Sequence, residues 1–245
     1  MTNKKINDEI GILTLENPPQ NYLTRPDFIP VAELAEWIEN NHLKALVITG
    51  SGRHFSGGAN LDSIFALVEN GKEIENQIEK GKDLLDYIQE LDIPVVAAIN
   101  GVCFGGGLEV ALACHIRICS DTSLFAFPET NYNLVPGLGG IYRLDERVSL
   151  KDSLKMILGG DMINAEEALS LKIVDTVLQN EDPLEYTLNF LRKITEGRQL
   201  KVINFVMQAL KNARRLPVEE SMREETRMFC DLARIEWTRR KKENY

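Results

Sequence analysis

Two glycine-rich segments, Phe55-Ser56-Gly57-Gly58-Ala59-Asn60 and Asn100-Gly101-Val102-Cys103-Phe104-Gly105-Gly106-Gly107-Leu108-Glu109, each closely follow a strand-like apolar run. A glycine loop between a strand and a helix leaves unhindered backbone N–H groups facing outward. Brought side by side, two such loops can grip one oxyanion from two directions, which makes a site for chemistry on a carbonyl.

Strand-like runs occur at Ile10 to Leu15, Ala45 to Thr49, Val95 to Ile99, Ile116 to Cys119 and Ile173 to Leu178, with helical patterns between several of them. Val31, Leu34, Ala35 and Ile38 follow a 3-4 spacing behind Pro30. Ile74, Ile78, Leu85 and Ile88 mark one face of a longer helix that Asp92-Ile93-Pro94 stops. Ser149 reads as the cap of a helix that runs to Leu158, and Asn164 with Glu167 as a second start signal. Strands alternating with helices predict an α/β fold. After about residue 182 the pattern turns helical, with starts at Asp182-Pro183 and Leu216-Pro217. The chain is therefore divided into an α/β core, residues 1–182, that carries the active site, and a helical region, residues 183–245. The latter either folds back as a lid or packs on a neighbouring subunit, through Met222, Phe229, Leu232, Ile235 and Trp237.

Bulk properties exclude several function classes. The 28 basic side chains against 37 acidic ones give a net charge of -9, which disfavours nucleic acid and anionic membrane as partners. The one dense basic cluster, Arg239-Arg240-Lys241-Lys242, ends a predicted helix, where cations complement the dipole. Met1 to Asp8 is polar, and no run approaches the ~18 apolar residues of a membrane span, so a soluble, cytoplasmic protein is expected. Cys103, Cys114, Cys119 and Cys230 read as reduced thiols, and His42, His54 and His115 share no ligand spacing, so no metal site is expected.

A helix nucleated at Gly107 places the Gly106 N–H at its amino end, where the dipole favours negative charge, and Ala59 holds the analogous place in the first loop. Glu109, three residues after Gly106, rises on nearly the same face. Glu129, stiffened by Pro128, lies in a loop between the strand-like Ser123 to Phe127 and Pro136-Gly137-Leu138-Gly139-Gly140. Two carboxylates converging from different loops can hold one water between them, which suits addition of water to an α,β-unsaturated thioester or its reverse. Read alone, the loops are tight turns where chain segments cross, Glu109 is an exposed first-turn glutamate and Glu129 an ordinary loop charge. Acyl specificity is assigned to Leu61 through Gln77, where Ile64, Phe65, Leu67 and Val68 offer apolar surface, unless these side chains are plain helix core.

These residues resemble the crotonase superfamily, also called the enoyl-CoA hydratase/isomerase family. Phe55-Ser56-Gly57-Gly58-Ala59-Asn60-Leu61 is similar to its F-x-x-G-A-D-[LI] segment, with Asn60 where Asp is common. Ala97-Ala98-Ile99-Asn100-Gly101 followed by Gly105-Gly106-Gly107-Leu108-Glu109 resembles its longer block. Pro128-Glu129, Pro136-Gly137-Leu138-Gly139-Gly140, Arg143-Leu144 and Leu158-Gly159-Gly160 keep its order. The resemblance implies a crotonase-like spiral of ββα repeats with a helical C-terminal extension, assembled as a homotrimer or a dimer of trimers. It implies an acyl thioester of coenzyme A as substrate, no separate cofactor, oxyanion N–H groups from Ala59 and Gly106, and paired catalytic acids Glu109 and Glu129. It further implies substrate contacts from Gly57, Gly58, Leu61, Gly105, Pro128 and Gly137. Hydration of a 2-enoyl-CoA, or dehydration of the 3-hydroxyacyl form, is the leading expectation. Isomerisation, decarboxylation or thioester hydrolysis on the same fold is the alternative, as is an acyl group borne on a carrier protein. A non-catalytic acyl-binding or assembly subunit is a further reading, against which both glutamates argue.

Overall fold

The computed structural model describes residues 2–69 and 74–243, apart from the side chains of Leu67 and Glu243. Part of the segment assigned to acyl specificity, residues 70–73 and the Leu67 side chain, thus lies outside the described residues. The chain divides into two compact units, Met1–Ile194 and Thr195–Tyr245.

In the first unit, β1 (Thr2–Asn7) and β2 (Ile10–Leu15) form an antiparallel hairpin that turns at Asp8, whose φ is 58°. Strands β3 (Ala45–Gly50), β4 (Val95–Ile99), β6 (Ile116–Ser120) and β9 (Thr176–Leu178) extend it in parallel, in the order β1-β2-β3-β4-β6-β9. A second sheet among the described residues has the order β5-β7-β8, from Val102–Phe104, Leu124–Ala126 and Ile163–Asn164. Each step from the first sheet into the second is followed by a helix. β4 and β5 lead into α4 (Gly106–Ala113), and β6 and β7 lead through a 3-10 turn (Glu129–Tyr132) into α5 (Gly140–Asp145). This is the ββα spiral.

Strands β3 and β4 read Ala-Leu-Val-Ile-Thr-Gly and Val-Val-Ala-Ala-Ile, apolar without alternation, because helices cover both faces of a parallel sheet. On one face Ile10, Ile12, Val47, Val96 and Ile118 pack against Leu188 and Leu191 of α8 (Pro183–Thr195). That packing joins Leu188 and Leu191 to the first unit, whose boundary falls between Ile194 and Thr195, at the last residue of this helix. The Asp182-Pro183 start signal is local; where the helix docks is not. On the opposite face Gly11 sits beneath α1 (Val31–Asn40), where a Cβ would lie 2.9 Å from the Trp37 ring.

Helices α2 (Leu61–Glu69) and α3 (Ile74–Glu90) follow the first glycine loop, and α6 (Leu150–Leu158) and α7 (Ala165–Ser170) follow α5. Ser149 Oγ and Asn164 Oδ1 accept from the N–H groups of Asp152 and Glu167, the caps that the sequence announced. The apolar run from Ile173 behaves differently from a continuous strand. Lys172 takes a left-handed φ of 60°, and the Ile173 N–H closes α7 on the Ala168 carbonyl at 2.8 Å, so β9 begins only at Thr176.

In the second unit α9 (Leu200–Arg215) and α10 (Val218–Glu243) pack on each other. The charged surface of α10 is ordered by pairs three and four residues apart, including Arg227 with Glu224 and Asp231, and Glu236 with Arg239 and Arg240. Lys241 lies 4.3 Å from the Trp237 ring centroid. The basic cluster is therefore satisfied largely within its own helix. Among the described residues no helix is long and apolar enough to cross a membrane.

Candidate active site

The first glycine loop is tied down from an irregular stretch before α1. Asn21, buried with φ 51°, donates through Nδ2 to the carbonyls of Ser51 and His54, and Ser56 Oγ donates to the Asn21 carbonyl at 2.7 Å. The same hydroxyl accepts from the Gly58 N–H. Ser56 also pairs through its backbone with β5, and a Cβ on Gly107 would lie 2.7 Å from the Ser56 Cβ, so α4 starts directly against this loop. Gly58, with φ 90°, closes the approach: a Cβ there would lie 2.7 Å from the Phe104 carbonyl oxygen and 3.3 Å from the Gly106 nitrogen. The two loops therefore meet backbone to backbone, which only glycine permits.

Gly106 is the first residue of α4, with Gly105 as its cap, one residue earlier than a start at Gly107. A Cβ built on Gly106 would lie 3.7 Å from the Ala59 nitrogen, so the two amides are neighbours. Among the described residues neither N–H donates to a protein acceptor. One belongs to a helix amino end, where such groups lack intrahelical partners and carry the positive end of the dipole.

Two carboxyl groups flank this point. Glu109 is 2% exposed, rather than an exposed first-turn residue, and its Oε1 accepts from the Leu138 and Gly140 N–H groups at 2.7 and 2.8 Å. Burial pushes its pKa up to about 7, against the opposing pull of those N–H groups and of the Arg143 and Lys82 cations. Glu129 opens the 3-10 turn behind Pro128 and lies against Gly105, where a Cβ would come 2.6 Å from its Oε1. Its Oε2 is buried with no hydrogen-bond partner among the described residues. Burial, and then the negative charge of Glu109, push Glu129 up to about 7, while its own backbone N–H opposes them.

A cavity of about 680 Å³ opens over these groups, of a size that holds a small organic ligand. Ala59, Gly106, Glu109 and Glu129 line it, as do Gly57, Gly58, Leu61, Gly105, Pro128 and Gly137. The structure thus gathers every site position named from the sequence at one cavity. Its apolar wall comes from Leu61 and Ile64 of α2 and Ile74 and Ile78 of α3, whereas Phe65 and Val68 are half exposed and stand outside it. Sequence reading missed Tyr22, Leu23 and Thr24, which line the cavity from the stretch before α1. Leu23 pairs with the first loop, its N–H on the Gly58 carbonyl and its carbonyl accepting from Asn60. No periodic pattern marks such a stretch. The role of the Leu138 and Gly140 amides was equally hidden, since only the glycines around them signal a turn. Among the described residues no group of His, Cys, Asp and Glu side chains is arranged to hold a metal ion.

The profile of the enoyl-CoA hydratase/isomerase family matches residues 5–242. The chain is 36% identical over 217 residues to the fatty acid oxidation complex subunit alpha of Idiomarina loihiensis, across 84% of this chain and 30% of that protein. It thus spans under a third of the length of that relative. It is 33% identical over 173 residues to a probable enoyl-CoA hydratase of Bacillus subtilis, across 70% of this chain and 67% of that protein. An enoyl-CoA hydratase from Polaromonas sp. JS666 has the same fold, with a TM-score of 0.84 at 26% identity over 94% of this chain and 90% of that one. On a match that runs almost from end to end, carried by this fold, the chain belongs to the enoyl-CoA hydratase/isomerase family.

Proposed function

We propose that the protein is an enzyme that adds water across the double bond of a 2-enoyl-CoA thioester, or removes it from the 3-hydroxyacyl form. The observation that carries this reading is one cavity lined by buried Glu109, half-buried Glu129 and the Ala59 and Gly106 amides, which have no protein acceptor among the described residues. Acid–base addition of water needs one member of such a pair ionised and the other protonated. Glu109 has two N–H donors and nearby cations, so it carries the negative charge more readily; Glu129, whose Oε2 has no donor among the described residues, holds the proton. Glu109 then takes a proton from water as its oxygen bonds to C3, and the Ala59 and Gly106 amides hold the enolate oxygen that develops. Glu129 delivers its proton to C2, and exchange with water restores the starting state. Removing one donor from an oxyanion hole costs about 2.7–4 kcal/mol of transition-state stabilisation.

Coenzyme A enters as part of the substrate, and no separate cofactor takes part. Assembly into a trimer or a dimer of trimers is part of the proposal, supported by the exposed side chains of Leu150, Leu154 and Leu158, a stripe four residues apart along α6. The exposed Met222, Phe229 and Trp237 of α10 support a role for the C-terminal helices in the same assembly.

The test mixes purified protein with crotonyl-CoA, longer 2-enoyl-CoAs and, separately, a carboxylated acyl-CoA, and follows loss of conjugated absorbance together with product mass. Gain of one water on an intact thioester is the expected result. A product of unchanged mass with a moved double bond, or loss of carbon dioxide from a carboxylated acyl thioester, transfers the site to isomerisation or decarboxylation. Absence of any conversion at every chain length overturns the reading.

A further inference from the structure

The Pro136–Gly140 loop supplies the amides that hold Glu109, yet it has no regular structure of its own before α5 begins at Gly140. Its conformation depends on a buried cation. Arg143, 3% exposed, donates from Nη1 to the Leu138 carbonyl at 2.8 Å. Its Nε donates to Gln89 Oε1 at 2.9 Å, and Nη2 pairs with Asp86, both residues on α3. Gly139 takes a φ of 89° to pass over the guanidinium, where a Cβ would lie 2.5 Å from Nη1. The peptide groups before and after the Leu138–Gly139 peptide present the Leu138 and Gly140 N–H groups to Glu109 Oε1. Arg143 itself does not line the cavity.

We infer that Arg143 is a positioning residue for the reaction proposed above: its planar fork, braced by Asp86 and Gln89, fixes the Leu138–Gly139 peptide so that the backbone N–H groups of the two flanking peptides converge on Glu109. This rests on the hydratase reading. A guanidinium suits the task because its donors lie in one plane and diverge at fixed angles, so three acceptors on two elements are held at once; an ammonium reproduces the charge without that geometry. The charged groups facing Glu109 are Glu129 across the cavity, Arg143 below the loop and Lys82 on α3. Loss of the Arg143 charge and of the converging N–H groups both act in one direction, making the Glu109 anion harder to form.

The experiment compares wild type with Arg143→Gln, Arg143→Lys and Asp86→Ala, the last at a carboxylate that is 69% exposed and outside the catalytic machinery. Arg143→Gln is expected to lower kcat on crotonyl-CoA by about 10²-fold, with KM within threefold, and to move the acid limb of the pH–rate profile up by about one pH unit. Arg143→Lys should keep most of that limb in place yet still lose turnover, and Asp86→Ala should fall between wild type and Arg143→Gln. A second readout does not depend on activity. The carboxyl carbon of Glu109 in 13C-glutamate-labelled protein, assigned by its loss in Glu109→Gln, should titrate higher in Arg143→Gln and in Asp86→Ala. If wild type converts no enoyl thioester, the hydratase reading fails and the titration alone decides the positioning. An unmoved Glu109 titration, or a loss of turnover that follows thermal stability with an unshifted pH profile, overturns the inference. Should Arg143→Gln fail to fold, the same criteria apply to Asp86→Ala and Arg143→Lys.

Discussion

Glu109 and Glu129 are the same residue type in one cavity, and their neighbours make them unequal. The amide of Glu109→Gln can still accept from Leu138 and Gly140 through its oxygen, so the fold around it persists while the base is gone. Glu109→Gln and Glu129→Gln are each expected to lower kcat by about 10²-fold or more while thioester affinity stays within a few-fold, measured by steady-state kinetics and calorimetry. Wild-type rates in both variants would remove these acids from the mechanism. Gly106→Ala tests the amide pair separately. Its methyl would lie 3.7 Å from the Ala59 nitrogen and 3.3 Å from a Leu23 methyl that can turn aside, so turnover should fall about 10²-fold with little change in melting temperature. Retained activity there would place the oxyanion elsewhere. The spacing from Gly106 to Glu109 was legible from sequence because one helical turn is a local relation. The donors that hold Glu109 come from 29 and 31 residues further along the chain, a distance that no local pattern encodes.

Elements were legible wherever their ends carry their own chemistry. Ser149 and Asn164 cap α6 and α7 by side-chain bonds to residues three positions on, and a reader of the sequence needs only that spacing. The hairpin strand β1 gave no such signal. It is polar, lies at the sheet edge with several residues exposed, and is a strand because β2 offers it a partner. Short β5 and β8 likewise exist through pairing with β7. The apolar stripe of α6 is exposed at Leu150, Leu154 and Leu158, while Met156 and Ile157 face inward. A charge within that stripe should dissociate an assembly and leave the fold standing. Leu154→Glu is expected to elute as a monomer in size-exclusion chromatography with light scattering, against an assembly for wild type; a monomeric wild type would reject this surface. The adjoining Thr130 hydroxyl donates to the Ile157 carbonyl and so ties the turn that carries Glu129 to α6, a link seen only in three dimensions.

At the scale of the whole molecule, burial of the two acids makes stability depend on pH. Each folded pKa of about 7 lies above the unfolded value of about 4.5. Between these limits the folded state binds more protons, so the contribution of each acid to stability is fully present below about pH 4.5 and is lost as pH rises through about 7. Glu129→Gln, which removes one of these titrations, is therefore expected to raise the melting temperature more at pH 8 than at pH 5, measured by calorimetry, while turnover falls. An equal shift at both values would contradict the sign of this linkage. The sequence by itself determined the alternation of strands and helices, the helix starts, the two glycine loops and the identity of the acids, because these follow from periodicity, capping and backbone freedom within a few residues. Tertiary structure alone decided that Gly58 and Gly106 touch, that Leu23 and Tyr22 border the cavity, and that Arg143 stands behind the amides holding Glu109. Those relations arise when a parallel sheet brings distant loops to one end, and long-range packing, unlike a turn or a cap, leaves no mark in the order of neighbouring residues.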